Sequence, residues 1–100
     1  MIKGIYVSWT PGPGEKHQEG FPKASQLTKE SFVTVAGRCD AWGISRNPDG
    51  EGQKYRIQQR WAMGQWGSAE HWANVTSFQS FKEACNFAIR AVRRAQGDIP

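Results

Sequence analysis

The chain changes its hydrophobic period along its length, and the changes mark the elements. Gln53–Trp61 alternates with a period of two: Tyr55, Ile57 and Trp61 share one face with Gln59, while Lys54, Arg56, Gln58 and Arg60 share the other. That is the pattern of a strand with one buried face. Ile5, Val7 and Trp9 fall on one face of a shorter strand over Gly4–Trp9, and Ala41–Asn47 and His71–Thr76 read as two more. From Phe81 the period becomes helical. Phe81, Ala84, Cys85, Ala88, Val92 and Ala95 form one apolar stripe, with Lys82, Glu83, Asn86, Arg90, Arg93 and Arg94 opposite. Ser80 and Glu83 fit a capping box at its start, and Gly97 suits the position just past its end.

Between these elements the punctuation is dense. Thr10–Ser25 holds three of the five prolines and three of the eleven glycines, which predicts a long Pro/Gly-rich loop over 10–25. Asn47-Pro48-Asp49-Gly50 is turn chemistry, and Gly64 and Gly67 mark a further turn. The segment 24–42 reads two ways. Thr28 as an N-cap with Phe32, Val35, Ala36 and Cys39 at helical spacing predicts a second helix near 25–39, whereas the run Phe32-Val33-Thr34-Val35 favours a strand. The helix is the expectation taken. Together these signals predict one α+β domain over 1–100, a small antiparallel sheet of three to four strands packed on a C-terminal amphipathic helix at about 80–96.

Charge sharpens this picture. Residues 1–52 carry six bases and six acids, which cancel, while residues 53–100 carry seven bases and three acids, so the whole net charge of +4 lies in the second half. A basic half points to an acidic partner, with nucleic acid the first to consider. No apolar run approaches the roughly 20 residues of a membrane-spanning helix. The N-terminus has no apolar signal segment, so a cytoplasmic protein is expected. Cys39 and Cys85, 46 positions apart, form neither a CxxC pair nor a zinc-ligand spacing and read as free thiols. No membrane, no metal and no cofactor are expected.

Catalysis finds little footing. His17 lies in the Pro/Gly loop and His71 at a strand start, neither near a nucleophile in a recognisable spacing. Cys85 sits on the apolar stripe, and Gly12-Pro13-Gly14 lacks the Lys-Ser/Thr of a phosphate loop. The expectation is therefore a binding module with no catalytic residue and no small-molecule substrate. Its sharpest feature is the acid-free strand face Lys54/Arg56/Gln58/Arg60, whose side chains repeat at about 6.6–7 Å and suit a row of phosphates or base edges. The tryptophans are the second feature: five in the chain, with Trp61, Trp66 and Trp72 inside twelve positions. Trp61 reads as core. Trp66, in the Gly-flanked turn Gly64-Gln65-Trp66-Gly67, reads as exposed and available for stacking.

The residues from Trp42 onward resemble the three-stranded-sheet-plus-helix DNA-binding domains of the ethylene-response-factor and integrase-arm type. The resemblance lies in Gly43-Ile44-Ser45-Arg46, in Tyr55-Arg56-Ile57, and in Thr76-Ser77-Phe78-Gln79-Ser80 leading into Glu83-Ala84. It implies DNA contacts from the exposed sheet face, on Arg46, Lys54, Arg56, Gln58 and Arg60. With a helix over 25–39, the order of elements is instead similar to double-stranded-RNA-binding domains. In overall character the chain is also similar to small inhibitors encoded by bacteriophages and mobile elements, anti-CRISPR proteins among them. That likeness implies a protein subunit of a host defence complex as partner. The expected partner is thus nucleic acid or an acidic protein surface in a nucleoprotein complex, met by Arg46, Lys54, Arg56, Gln58, Arg60 and Trp66.

Overall fold

The computed structural model describes residues 4–38, 40–47, 53–60, 72–95 and 97. Six strands, β1 (Tyr6–Thr10), β2 (Gln18–Glu19), β3 (Phe32–Ala36), β4 (Ala41–Arg46), β5 (Tyr55–Arg60) and β6 (Trp72–Phe78), precede one helix, α1 (Phe81–Ala95). They form a single antiparallel sheet in the order β2-β1-β3-β4-β5-β6, so the fold is α+β as expected, with six strands where three to four were predicted. The β4-β5-β6-α1 half follows the periodicity closely. The N-terminal half is where the extra strands lie.

The second helix near 25–39 does not form. A 3₁₀ turn spans Ala24–Gln26, and Phe32–Ala36 is β3, paired with β1 on one side and β4 on the other. The β-branched run wins because both neighbouring strands need its backbone, whereas an isolated helix of that length has little to stabilise it. Thr28 caps nothing helical. Its N–H donates to Ser31 Oγ at 2.9 Å, and both hydroxyls donate to the Pro11 carbonyl oxygen, at 3.3 and 3.0 Å. The Pro/Gly-rich loop likewise contains β2, whose two residues pair with Ser8 and Trp9 of β1.

The core lies between one sheet face and α1. Trp9, Val33, Val35, Trp42, Ile44, Tyr55 and Ile57 meet Ala84, Ala88 and Val92, with Ile5 and Leu27 closing the β1 end. The small Ala84 and Ala88 let the helix approach the sheet, and rings fill the flanks: Tyr55 against Phe81 at 5.5 Å, Trp42 against Phe87 at 5.7 Å, Phe78 against Phe87 at 5.4 Å. Burying an indole strands its N–H unless an acceptor is near. Here Trp42 Nε1 donates to Asp40 Oδ2 at 2.8 Å. The stripe on α1 is shifted from the predicted one: Phe87 and Ala91 pack against the core, while Ala95 is exposed.

Both helix ends follow the sequence. The Glu83 N–H donates to Ser80 Oγ at 3.4 Å, and the Gly97 N–H donates to the Arg94 carbonyl at 3.1 Å with φ of 80° at Gly97, a left-handed conformation that glycine adopts without strain. Among the described residues no helix is long and apolar enough to cross a membrane. Cys85 is free and only partly buried, and Cys39 lies outside the described residues.

Candidate nucleic-acid interface

Strand pairing fixes which side chains share the sheet face turned away from α1. Directly paired residues stand on the same face, so the register lays out three rows across the strands. Tyr6, Ala36, Ala41, Arg60 and Trp72 make the first. Ser8, Thr34, Gly43, Gln58 and Asn74 make the second. In the third, Ser45, Arg56 and Ser77 follow one another on β4, β5 and β6, and by alternation Thr10 and Phe32 stand on the same side. A bulge between Ile57 and Gln58 adds Val75 to β6, which is why Trp72 and Asn74 share a face with Ser77.

The expected basic face is therefore real for β5 and partial beyond it. Arg56, Gln58 and Arg60 stand together on this outer face, each partly exposed. Arg56 Nη2 donates to Ser45 Oγ at 3.4 Å, while its Nε is buried without a hydrogen-bond partner among the described residues. A buried unpartnered donor is costly, and the Ser45 bond leaves the hydrogen-bonding capacity of this guanidinium only partly used. Gln58 Nε2 donates to Asn74 Oδ1 at 3.0 Å, a bond that does not use Gln58 Oε1 or Asn74 Nδ2. The Arg60 guanidinium lies over the Trp72 ring, 6.0 Å from its centroid.

Two expected members do not join the row. Arg46 pairs with Tyr55, which places it on the helix side of the sheet with Tyr55 and Ile57, because its position has the opposite parity to Ser45 and Gly43. Lys54 precedes β5 and is exposed, and its ammonium sits over the Tyr55 ring, 5.6 Å from the centroid. Trp66 and Trp61 lie outside the described residues, as does His71.

The aromatic groups of this face are Phe32, Trp72 and Tyr6, none of which was among the expected site residues; Trp72 stood out only as one of three clustered tryptophans. Phe32, at the start of β3, lays its ring across β4 onto Gly43, and Trp72 meets that ring edge-to-face at 5.0 Å. Position 43 must be glycine for this: a Cβ built there would overlap Phe32 Cζ and stand 3.0 Å from both Cε atoms. Tyr6, on β1, is 52% exposed on the same face. It lines an open cleft with Gly4, Ile5, Ala36, Gly37 and Arg38. Strand alternation gave the parity of each of these residues within its own strand, but only the register could bring Phe32 to Trp72 and Tyr6 onto the side of Arg60.

The electrostatics of the face are one-sided. The segments β3, β4, β5 and β6 contain no Asp or Glu. A second basic surface lies on the solvent side of α1, where Lys82, Arg90, Arg93 and Arg94 are exposed beside Glu83. Arg93 and Arg94 occupy the last turn, where cations complement the helix dipole. Among the described residues no group of three His, Cys, Asp or Glu side chains could hold a metal ion. No protein-family model, curated protein or solved structure matches the chain.

Proposed function

We propose that the chain is a non-enzymatic module that binds nucleic acid, alone or within a nucleoprotein complex, through the outer sheet face around Arg56, Gln58 and Arg60. The chemistry of that face carries the reading. Four adjacent strands bring guanidinium, amide and aromatic groups together and contribute no carboxylate. Arg56 and Arg60 suit phosphates, which give affinity, and the Gln58–Asn74 amide pair offers donors and acceptors to base edges, which give selectivity. The helix surface is as basic but presents no amide pair or ring of this kind, which makes it the natural control.

DNA and RNA titrations at about 50 and 200 mM salt test the proposal. Affinity should fall with a log–log slope of roughly −0.7 to −0.9 per phosphate contacted. Arg56→Gln combined with Arg60→Gln should weaken binding and make that slope shallower by about 1.4–1.8, the share of two phosphates. Arg90→Gln with Arg93→Gln and Arg94→Gln should change little. Absence of binding at the lower salt overturns the proposal, and a loss confined to the helix variant moves the interface to α1. A partner captured from lysate that survives nuclease would favour instead an inhibitor docking on a protein subunit of a host defence complex.

A further inference from the structure

The dimensions of the sheet narrow the class of nucleic acid. β5 is fifth of six strands, so Arg56 and Gln58 have β4, β3, β1 and β2 on one side and β6 on the other. At about 4.8 Å per strand interval the face is roughly 24 Å broad. The major groove of B-DNA is about 12 Å wide and takes one helix or a two-stranded ribbon. A face twice that breadth cannot enter the groove, and a duplex would reach it only through its outermost phosphates. An unpaired strand has no such limit, because it lies along an open surface and turns its bases onto it.

The rings of the face are placed for that. In the first row, Trp72 and Tyr6 stand at opposite ends, four strand intervals or roughly 19 Å apart. Each comes with a guanidinium: Arg60 lies over Trp72, and Arg38 lines the same cleft as Tyr6. A ring that accepts a base beside a cation that accepts its phosphate is the unit from which sequence-tolerant single-strand sites are built. Phe32 packs against Trp72, the two ring planes 74° apart, which restrains both rings. Tyr6 is exposed and outside the core, while its chain neighbours Ile5, just before β1, and Val7 pack on the helix side.

We infer that the ligand is a single strand laid across the outer face, with bases stacked on Trp72 and Tyr6 and phosphates held by Arg60 and Arg38. This rests on the nucleic-acid reading above and fails separately from it. The test is fluorescence anisotropy with labelled oligothymidylate and oligouridylate of about 15 nucleotides, against a DNA duplex of the same length. The single strands should bind at least about tenfold more tightly than the duplex. Tyr6→Ala and Trp72→Leu should each weaken single-strand binding by roughly 5- to 150-fold, the range for losing one stacked base. Neither should change the salt slope, because no phosphate contact is lost. Tyr6 is exposed, so Tyr6→Ala keeps the fold and remains informative even if Trp72→Leu disturbs β6. A duplex bound as tightly as the single strands, or a Tyr6→Ala protein with unchanged single-strand affinity, overturns the inference and leaves the nucleic-acid reading standing. Binding to neither form at low salt ends both.

Discussion

Replacing Gly43 by alanine adds one methyl group to the middle of the sheet, and two effects of opposite sign compete. Alanine inside a strand loses less backbone freedom on folding, which favours the variant by about 0.5–1 kcal/mol. Against this, the new Cβ would overlap Phe32 Cζ and stand 3.0 Å from Cε1 and Cε2, so the ring must leave its place. Overpacking of that kind costs about 1–3 kcal/mol. Moving the ring also loosens its edge-to-face contact with Trp72, itself worth about 0.5–1.5 kcal/mol. The steric side wins, and Gly43→Ala should destabilise the protein by about 1–3 kcal/mol, lowering Tm by roughly 5–20 °C for a chain of this length. Thermal unfolding followed by circular dichroism measures it. The decisive comparison is the double-mutant cycle with Phe32→Ala. Without the ring, the same alanine should be neutral or stabilising. If Gly43→Ala raises Tm with Phe32 present, nothing lies over Gly43 and the account of the outer face is wrong. Equal destabilisation with and without the ring would place the cost in the backbone.

Three further outcomes concern α1. Ser80→Ala removes the acceptor of the Glu83 N–H and should cost about 0.5–2 kcal/mol in a denaturant titration, while Ser80→Asp should keep most of it; an unchanged midpoint for Ser80→Ala would show the cap is idle. Burial pushes the Cys85 thiol from an ordinary value of 9.0 up to about 12. In a Cys39→Ser background, labelling of Cys85 by a thiol reagent at pH 8 should be slow and accelerate on unfolding, and rapid labelling of the folded protein would contradict its burial. The same shift has a stability consequence. The native state holds this proton more tightly than the unfolded chain, so stability is intact below pH 9 and falls as pH rises from 9 towards 12. Cys85→Ala should remove that part of the decline, and an identical decline in the variant would assign it to other groups.

The C-terminal half of the fold was legible because its signals are local. Tyr55 and Ile57 alternate against Arg56 and Gln58, Ser80 caps the Glu83 N–H, and Gly97 ends the helix, each within a few residues. The N-terminal half misled for the same reason. Val35, Ala36 and Thr28 satisfy a helical template locally, but β1 and β4 claim the backbone of β3 from both sides. Arg46 was misplaced because a resemblance carried it, whereas its parity beside Tyr55 is a matter of pairing.

What the sequence by itself determined is the chemistry available: a neutral first half, a second half carrying all of the net charge, an acid-free strand and one capped amphipathic helix. It also determined the two faces of β5, since side-chain period is fixed within a strand. What only the tertiary structure decided is which residues share those faces. Register is set by long-range pairing and by the Val75 bulge, so the sequence could not place Arg46 behind the sheet, Phe32 over Gly43, or Trp72 beneath Arg60. The breadth of the sheet was equally hidden, because strand number depends on which segments find partners. That breadth is what sets the basic strand within a six-stranded face instead of a narrow ribbon.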